Sequence, residues 1–591
     1  MKWVKNDHGN TIAEIVEYNT GISTKEFLNP ERDPYLANLE DAVQFIQKEI
    51  AAGSKISVIG DYDCDGITSS TILDLALTEA SGVEPYIRIP RRFSEGYGLS
   101  IKIIDEIDEG LIITVDNGIA AIDQIKAAKE KGLKVIVIDH HLPVQDDKTG
   151  KITLPEADII LDPHAIPGSD FKNYCGAGLA YRVAKLLVPN SPLLTPMLAL
   201  ASIGTVADVM TLTGDNRNIV IDGLEAVRKR KVTTGLDLLL NALKLEYVTE
   251  GDYGFKLGPV MNAAGRLHDD GPIAVIDVLK TNFDIHDLSN TYKLIDLESK
   301  VNKLIENNED RKEIVRTSMA EAEDLMTEET LRKPIILYSP NFSEGIIGII
   351  AGQLAEEYCT PALVFTDSKT PGVLKGSGRT YGTVHLKHML DSVSEYFVRY
   401  GGHAGAAGMS VKAEDLETLK TVLNEKLKDV DFGVDKDHLY YDLEIPISEV
   451  DHYLNELDTF APYGEGNPQI VFKVDGFICS PVAGKFTKPM GKYQEHVKFY
   501  GKKVSAIGFD LNKRYFDEGE PKSIDSCSVS GTESANSART NTTTNTTSAN
   551  SIISTTIYAG TSSDHIADPI HFSGFGRRKE YCTMHGKRKD L

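Results

Sequence analysis

The chain has 591 residues, which at roughly 150 residues per domain allows about four domains. Its hydrophobic content of 41% can fill several packed cores and excludes a wholly disordered protein. Lys and Arg total 63 against 87 Asp and Glu, so the net charge of −24 excludes a protein that coats nucleic acid non-specifically.

Targeting signals are not expected, and the chain is predicted to be cytoplasmic. Charged residues interrupt every apolar stretch between Met1 and Glu17, so this segment lacks the hydrophobic region of a signal peptide. No apolar run reaches the about 18 residues that a membrane-spanning helix needs. The six cysteines are scattered without Cys-x-x-Cys spacing, so neither disulfides nor a zinc site are expected.

A parallel sheet is predicted between about residues 55 and 163. Four short runs rich in β-branched residues are apolar throughout, which is typical of strands buried on both faces. They are Lys55–Gly60, Leu111–Val115, Lys134–Ile138 and Ala157–Leu161. Helical patterns such as Ile119–Gly132 separate them, so the unit is a repeated strand and helix. Ligands of such sheets bind beyond the carboxyl ends of the strands.

Helices and a second α/β unit are predicted next. A helical region covers Pro192–Leu245. Asp284–Met326 has few apolar residues per turn and no Gly or Pro, which predicts an exposed helix connecting two domains. Strands at Pro334–Tyr338 and Pro361–Phe365 flank a helix at Ile346–Tyr358.

The last two regions differ sharply in composition. Short alternating segments with Gly and Pro turns predict a small β barrel over about Asp442–Asp510. From Ser526 to Ser563, 24 of 38 residues are Ser, Thr or Asn. Because such a composition cannot bury a core, a disordered tail is predicted there.

Acidic and histidine residues follow all four predicted strands of the first sheet. They are Asp61, Asp63 and Asp65 after the first strand, Asp116 after the second, Asp139, His140 and His141 after the third, and Asp162 and His164 after the fourth. A further Asp208 lies in the helical region. A single Asp after a strand is usually only the N-cap of the next helix. Three alternating carboxylates and a His-His pair exceed what capping needs, so together they indicate a binding site.

A divalent metal explains this cluster better than capping does. Residues at i and i+2 of an extended turn point the same way, so Asp63 and Asp65 can converge with Asp116 and His140. Mixed oxygen and nitrogen ligands suit Mn²⁺ or Mg²⁺ better than zinc, and a bridging carboxylate allows two ions. Without cations, clustered carboxylates raise one another's pKa values. Two-metal sites activate water for displacement at phosphorus, so phosphoester hydrolysis is the predicted chemistry.

Eight motifs in a fixed order carry a resemblance to a known family. They are Gly60–Gly66, Thr114–Gly118, Asp139–His141, Gly204–Asp208, Asn262–Arg266, Gly376–Arg379, Gly401–His403 and Pro462–Pro468. In these motifs the sequence resembles the DHH phosphoesterases and, within them, the RecJ family of bacterial exonucleases specific for single-stranded DNA. Asp-His-His alone would be a weak signal, whereas eight ordered motifs over most of the chain are highly specific.

The resemblance implies an α/β fold in several domains. It predicts a parallel-sheet DHH catalytic domain, a long linking helix, a smaller α/β DHH-associated domain, an OB-like β barrel and a disordered tail. The predicted boundaries are 1–40 for an N-terminal segment, 41–275 for the catalytic domain, 276–328 for connecting helices, 329–435 for the DHH-associated domain, 436–515 for the OB-like nucleic-acid-binding domain and 516–591 for the low-complexity tail.

The resemblance also implies the metal ligands and the catalytic residues. The positions that match manganese ligands are Asp63, Asp65, Asp116, His140 and Asp208, with Mg²⁺ as the alternative ion and two ions expected. His141 and His403 match positions near the scissile phosphate, where a histidine can stabilise developing charge or transfer protons. Many relatives outside the RecJ branch carry a His where this chain has Ile59, which removes a possible nitrogen ligand. Asp61 is expected to lie close enough to help.

Nucleic-acid contacts are predicted at two places. The candidates for a 5′-phosphate pocket are Arg92, Arg266, Ser377 and Arg379, with Gly401 and Gly402 in a glycine-rich turn where a backbone can approach an anion. Singly, each Arg is more often a surface residue or a salt-bridge partner. In the barrel, Lys485 and Lys498 alternate with aromatic residues, as in a single-strand track, although ordinary strand alternation gives the same pattern. Gly464–Pro468 is interpreted as a structural turn at the entrance to the barrel.

The pattern is compatible with three functions. The leading hypothesis is a metal-dependent exonuclease that degrades single-stranded DNA from the 5′ end to mononucleotides in repair and recombination. The enzymatic alternative is a DHH phosphatase acting on short oligonucleotides or dinucleotides, whose family members usually lack the OB domain. The non-enzymatic alternative is a repair scaffold with a degenerate DHH fold, but the acidic motifs are intact here. A monomer is expected, with a helicase and a single-strand-binding protein as possible partners and no membrane.

Overall fold

The structure is a computed structural model. It describes residues 2–146, 149–327, 334–430, 432, 438–478, 487–490, 496–500, 504–508, 523–529 and 551–556. The chain divides into two compact units. The unit that we call the N-terminal unit consists of residues 16–311 and 460–468, and the C-terminal unit consists of residues 1–15, 312–459 and 469–591.

The helices of the described residues range from single turns to one of 34 residues. They are α1 (Ile12–Thr20), α2 (Thr24–Leu28), α3 (Leu39–Ala51), α4 (Cys64–Ser81), α5 (Ile101–Asp105), α6 (Ile122–Glu130), α7 (Gly176–Leu187), α8 (Leu194–Ala207), α9 (Gly214–Arg228), α10 (Thr234–Ala242), α11 (Glu250–Asp252), α12 (Gly258–Leu267), α13 (Gly271–Lys280), α14 (Thr291–Asp324), α15 (Ile347–Tyr358), α16 (Leu386–Asp391), α17 (Leu416–Leu427) and α18 (Val450–Phe460).

The strands of the described residues are all short. They are β1 (Lys2–Lys5), β2 (Ile56–Ile59), β3 (Tyr86–Arg88), β4 (Leu111–Val115), β5 (Lys134–Ile138), β6 (Val144–Gln145), β7 (Ile152–Thr153), β8 (Ile159–Leu161), β9 (Ile335–Tyr338), β10 (Ala362–Asp367), β11 (Val373–Arg379), β12 (Phe397–Gly402), β13 (Ala406–Lys412), β14 (His438–Tyr441), β15 (Leu443–Pro446), β16 (Phe472–Ile478), β17 (Thr487–Met490), β18 (His496–Tyr500), β19 (Val504–Gly508), β20 (Ser523–Val529) and β21 (Ser551–Thr556).

The N-terminal unit is built on a five-stranded parallel sheet in the order β3-β2-β4-β5-β8. The four predicted strands are confirmed as β2, β4, β5 and β8. Successive residues of β4 enter two different hydrophobic clusters, Ile113 and Val115 in one and Ile112 in the other. Because both faces of the sheet are covered, its strands are mostly apolar. The three-residue edge strand β3 was not predicted, since its first residue, Tyr86, is 50% exposed.

The C-terminal unit contains a second five-stranded sheet, in the order β12-β13-β11-β10-β9. The pair β9 and β10 is parallel, and the other neighbours are antiparallel. The predicted strands and helix of this α/β unit are confirmed as β9, β10 and α15. Its hydrophobic clusters cover the sheet, with Leu363 and Phe365 in one and Ala362 and Val364 in the other.

Two small sheets follow in the region predicted to be a β barrel. One has the order β15-β16-β20 and the other β17-β18-β19-β21. Strands β20 and β21 lie within residues 516–591, for which the sequence predicts a disordered tail. The first pairs with β16 and the second with β19, and Ile and Val residues within these strands interrupt the Ser and Thr bias. The other residues of that stretch lie outside the described residues.

The predicted connecting helix is α14, which runs from Thr291 to Asp324. It is less exposed than its composition suggests. Leu297, Val301 and Leu304 are buried in the core of the N-terminal unit, and their spacing of four and three residues places them on one helix face. Farther along, Val315 belongs to a core cluster of the C-terminal unit.

Two findings concern membrane-spanning helices and the cysteines. Among the described residues, no helix is both long enough and apolar enough to span a bilayer. Cys359 is disulfide-bonded, so the prediction that the cysteines form no disulfides is wrong for this residue. Spacing along the chain does not reveal cysteines that meet only through tertiary contacts.

Candidate metal centre

The first acidic motif is the loop between β2 and α4. Asp63 is the N-cap of α4, and its Oδ1 accepts the backbone N–H groups of Asp65 and Gly66, each at 3.1 Å. The capping interpretation therefore holds for Asp63, yet its carboxylate also belongs to the cluster described below. Asp61 precedes it on the loop and is 3% exposed.

Asp65 is fixed by the start of α7. The backbone N–H of Gly176 donates to Asp65 Oδ2 at 2.6 Å, and that of Ala177 donates to Oδ1 at 2.9 Å. A Cβ on Gly176 would lie 2.6 Å from the Cβ of Asp116. Only glycine therefore allows α7 to approach both carboxylates so closely.

Asp116 and His140 meet at the carboxyl ends of β4 and β5. Asp116 has a left-handed backbone, with a φ of 60°. Its Oδ1 lies 3.0 Å from His140 Nε2, which is also 3.8 Å from Asp65 Oδ2 and 3.7 Å from Asp208 Oδ2. Asp208 is the C-cap of α8. Strand ends and one helix end thus bring the five predicted ligands into one cluster.

The ligand atoms form overlapping groups of three, each with all atoms within 4.8 Å of one another. The groups are Asp65 with His140 and Asp208, Asp61 with Asp63 and Asp116, and Asp116 with His140 and His141. Asp63 and Asp65 fall in adjoining groups, and no group among the described residues contains both. Adjoining groups that are linked by Asp116 and His140 fit two neighbouring ions.

The electrostatics of the cluster call for a cation. Burial and the charges of neighbouring carboxylates raise the pKa values of Asp61 and Asp116 well above their ordinary range. The same causes raise the pKa of Asp208 to about 8. Burial lowers the pKa of His140, so its imidazole is neutral, as a metal ligand must be. Asp61 Oδ1 is buried and accepts no hydrogen bond from the described residues. These donors fit Mn²⁺ or Mg²⁺, which neutralise such oxygens.

A first prediction concerns stability and pH in the absence of metal. The folded-state pKa of Asp208, about 8, exceeds its unfolded value near 3.8, so its protonation stabilises the fold below that unfolded value and this contribution is lost as the pH rises through about 8. Between pH 5 and pH 8 in EDTA, we expect the wild-type Tm to fall relative to that of Asp208→Asn. Thermal melts followed by circular dichroism measure both.

Added Mn²⁺ is the control for that prediction. Metal binding is tighter when its ligands are deprotonated, so the wild-type Tm should then rise with pH over the same range. If the Tm values of the two proteins in EDTA change with pH by the same amount, this would contradict the raised pKa of Asp208.

Histidine 141 lies beside the metal cluster and is held by a residue without a predicted role. Its Nδ1 is 2.7 Å from Asp139 Oδ1, and its Nε2 is 3.4 Å from the hydroxyl of Tyr97. Burial lowers the pKa of His141, but the hydrogen bond and charge of Asp139 outweigh it and raise the pKa to about 9. In the metal-free protein His141 is therefore a protonated, oriented imidazolium at neutral pH.

Arg92 lies on the same side of the N-terminal unit. Its guanidinium stacks on the ring of Tyr62, 3.8 Å from the ring centroid. Its Nε is buried and has no hydrogen-bond partner among the described residues. Arg266 is close enough to Tyr62 to lower the pKa of its hydroxyl, although burial dominates and raises it to about 12. No carboxylate of the described residues forms an ion pair with Arg92, so its guanidinium is suited to an anion.

The other candidate anion ligands form one row across the sheet of the C-terminal unit. Ser377 on β11 pairs with Gly408 on β13, and Gly408 pairs with Gly401 on β12. Gly402 is the next residue on β12 and has a φ of +149°. The sequence motifs of Ser377 and the two glycines, separate along the chain, are therefore neighbours in space.

Arg379 and His403 lie next to this row. Arg379 Nη1 donates to Ser377 Oγ at 3.2 Å and to Gly378 O at 2.8 Å. Burial lowers the pKa of Arg379, and no carboxylate of the described residues pairs with it. Burial, followed by the charge of Arg379, also lowers the pKa of His403.

Two of the predicted DNA contacts belong to the region predicted to be a β barrel. Lys485 lies outside the described residues. Lys498 is on β18, where the backbone pairs with Lys488 on β17 and Ile507 on β19, and its side chain is not among those described.

Several residues of the site carried no functional prediction. Asn262 Oδ1 accepts the N–H of Cys64 at 2.8 Å and so fixes the start of α4; its motif was recognised without a role. Asp139 belongs to a recognised motif too, whereas no sequence signal marks Tyr97. Asp162 caps a turn through the N–H groups of His164 and Ala165 and lies outside the metal groups of the described residues.

Comparisons with known proteins agree with this geometry. Residues 55–205 match the model of the DHH family, N-terminal domain. Residues 332–429 match the DHHA1 domain, and residues 441–546 match the RecJ OB domain. The third match extends past residue 515, the predicted end of the barrel.

Two curated relatives are named single-stranded-DNA-specific exonuclease RecJ. That of Haemophilus influenzae is 30% identical over 532 residues, which cover 84% of this chain and 87% of the relative. That of Bacillus subtilis is also 30% identical, over 85% of this chain and 62% of the longer relative. Among solved structures, RecJ of Thermus thermophilus in complex with Mn²⁺ has a TM-score of 0.71 and 24% identity over 93% of this chain and 75% of that one. An exonuclease RecJ bound to manganese has a TM-score of 0.56 and 28% identity over 67% of this chain and 96% of that one.

Proposed function

The chain belongs to the RecJ family of DHH phosphoesterases, and we propose that it is a metal-dependent exonuclease that hydrolyses single-stranded DNA from the 5′ end to 5′-mononucleotides. The observation that carries this proposal is the convergence of four aspartates and His140 at the carboxyl ends of the parallel strands and of helix α8. The role is DNA repair and recombination. Because the substrate is DNA, we propose that the enzyme acts in the cytoplasm.

Manganese or magnesium is the cofactor of this enzyme. One ion would be held by Asp65, His140 and Asp208, and a second by Asp61, Asp63 and Asp116, whose oxygens lie close enough together. When bound, the ions supply a water of lowered pKa and positive charge for the phosphate oxygens.

His141 and Asp139 act on the leaving side of the reaction. Asp139 orients the imidazole through Nδ1 and keeps it protonated. The proton on Nε2 is then available for the 3′-oxygen as that atom leaves phosphorus, and the imidazolium stabilises the negative charge that develops there. His403 is assigned to the same phosphate.

The 5′-phosphate is assigned to Arg379, Ser377 and the neighbouring backbone of Gly401 and Gly402. The guanidinium of Arg379 is partly buried and has no carboxylate partner among the described residues, so it is already partly desolvated and an anionic phosphate gains a strong, charge-assisted contact. Arg92 and Arg266 are assigned to phosphates of the same strand, and the lysines of the OB domain, Lys485 and Lys498, to the strand beyond.

This assignment predicts the effect of Arg379→Ala. For a strand with a 5′-phosphate we expect kcat/KM to fall on the order of 30-fold, or about 2 kcal/mol, the value of a hydrogen bond to a charged group. For a strand with a 5′-hydroxyl the variant should equal the wild type. Steady-state kinetics on the two strands measure the difference. Arg316→Ala, an exposed residue paired with Glu313, is the control, and equal losses on both strands would contradict the assignment.

A substrate comparison tests the proposed function against its alternatives. We expect a strand of about 40 nucleotides to be degraded in Mn²⁺, its duplex to survive and di- to pentanucleotides to be poorer substrates. Cleavage confined to di- to pentanucleotides would favour the DHH phosphatase. Binding of the long strand without cleavage would favour the scaffold.

Partners of this activity follow from its substrate. We propose that the enzyme acts as a monomer beside a helicase, which exposes the single strand, and a single-strand-binding protein, which covers it. Both expectations rest on the requirement for unpaired DNA.

A further inference from the structure

Asp208 stands on a strained loop between α8 and α9. Its backbone N–H completes α8 by donating to Gly204 O at 2.9 Å. The next residue, Val209, has a φ of +58°. A β-branched residue in this left-handed region is a rare conformation that persists only where the surroundings enforce it. Something outside the loop must therefore hold it.

Residues 460–468, more than 240 positions later in the sequence, contact this loop and belong to the same compact unit. We call Phe460–Pro468 the bracing segment. The backbone N–H of Leu212 donates to Glu465 O of this segment at 2.8 Å. A Cβ on Gly466 would lie 3.2 Å from Thr211 Cβ, so the two backbones are nearly in contact.

The bracing segment is itself a rigid turn. Gly464 and Asn467 exchange both backbone hydrogen bonds, at 2.9 and 3.1 Å. The side-chain amide of Asn467 donates to Phe460 O at 3.0 Å and to Pro462 O at 2.8 Å. Buried turns satisfied in this way have one arrangement and transmit displacement to their neighbours.

Three residues of the N-terminal unit anchor the bracing segment. Arg217 donates to Phe460 O at 3.1 Å and to Ala461 O at 2.8 Å. The N–H of Tyr463 donates to Glu250 Oε1 at 2.9 Å. Phe27 stacks on Phe460 with ring centroids 6.5 Å apart. The segment therefore belongs to the unit that carries the metal cluster, although it directly precedes β16 along the chain.

We propose that the bracing segment is a positioning element that holds Asp208 in register with Asp65 and His140, so that the metal site exists before the ion binds. The side chain of Asp208 is 29% exposed, and its Oδ2 lies 3.7 Å from His140 Nε2, so the other ligands do not enclose it on every side. Residues that fix the orientation of a metal ligand raise the metal affinity, because the ligand is already ordered in the folded protein before the ion binds. The proposal rests on the proposed function only in taking Asp208 as a metal ligand.

Two glycines with the same backbone angle provide a matched test. Gly466 and Gly82 both have a φ of +74°, but a Cβ on Gly82 meets nothing within 4 Å, whereas one on Gly466 meets Thr211. Gly466→Ala and Gly82→Ala therefore introduce the same backbone strain, but only the new Cβ of Gly466→Ala makes a close steric contact with Thr211 in the loop that carries Asp208. Electron paramagnetic resonance of free Mn²⁺ during a titration gives the affinity of each full-length variant.

We expect Gly466→Ala to weaken Mn²⁺ binding on the order of 10-fold and Gly82→Ala to leave it unchanged. The kcat of Gly466→Ala at saturating Mn²⁺ should return to near the wild-type value. Equal Mn²⁺ affinity of the two variants would overturn the proposal. Because Mn²⁺ binding is measured without DNA, a protein that binds Mn²⁺ but cuts no DNA would overturn the proposed function and leave this test intact.

A second pair of variants covers the case in which Gly466→Ala fails to fold. Glu250→Ala removes the acceptor for the N–H of Tyr463, whereas the amide oxygen of Glu250→Gln still accepts it. We expect weakened Mn²⁺ binding in Glu250→Ala and near-normal binding in Glu250→Gln. Identical Mn²⁺ affinity of these two variants would also overturn the proposal.

Discussion

Asp116→Asn is expected to reduce Mn²⁺-dependent cleavage of single-stranded DNA about 1000-fold while the fold is retained. A metal ligand supports several kcal/mol of charge stabilisation in the transition state, and about 4 kcal/mol corresponds to this factor. Asparagine tolerates the left-handed backbone of residue 116, where φ is 60°. Because the change removes a buried, repelled carboxylate, the metal-free variant should melt at or above the wild-type Tm.

The measurement combines single-turnover cleavage with Mn²⁺ titration by calorimetry. Asp33→Asn is the matched control, since Asp33 also has a left-handed backbone, with a φ of 51°, and pairs with Lys185 outside the cluster. It should retain the wild-type rate. Full activity of the folded Asp116→Asn variant would show that the cluster is not the reaction centre.

His141→Gln carries the second large expected effect, a loss of kcat on the order of 10²- to 10⁴-fold, as for removal of a general acid. The protonated imidazolium is the active form in this mechanism. Since the pKa of His141 is raised to about 9, the wild-type rate should be flat near neutral pH and fall as the pH rises through about 9. The variant should lack this alkaline decline.

Asp139→Asn separates the general-acid role from a structural one. Removing the carboxylate that raises the pKa of His141 should move the alkaline decline to lower pH. His286→Gln, at an exposed position near the start of α14, is the control and should keep the wild-type profile. A pH profile that is unchanged in Asp139→Asn would contradict the proposed pairing.

Much of the fold is readable from the sequence because burial on two faces leaves a strong local pattern. The runs Leu111–Val115 and Lys134–Ile138 agree with β4 and β5 residue for residue. The convergence of acidic side chains followed from parallel topology, since the carboxyl ends of such strands share one edge. The edge strand Tyr86–Arg88 has no such pattern, because only part of it is buried.

The parts of the site that were not predicted depend on contacts between distant positions. Tyr97 reaches His141 across 44 residues, and Glu465 reaches Leu212 across more than 250. Local propensity carries no information on such pairs. Asp139 could have been inferred from its motif, because a carboxylate two residues before a histidine is a common way to orient its ring.

The central claim is that this metal cluster degrades single strands from the 5′ end. The most direct measurement is Mn²⁺-dependent digestion of single-stranded and duplex DNA labelled at either end, beside Asp116→Ala. The account predicts that 5′-labelled single strands release labelled mononucleotides at once, that 3′-labelled strands shorten progressively, and that duplex and variant reactions remain uncut. Labelled mononucleotide released first from the 3′ end, or cleavage that persists in Asp116→Ala, would contradict it.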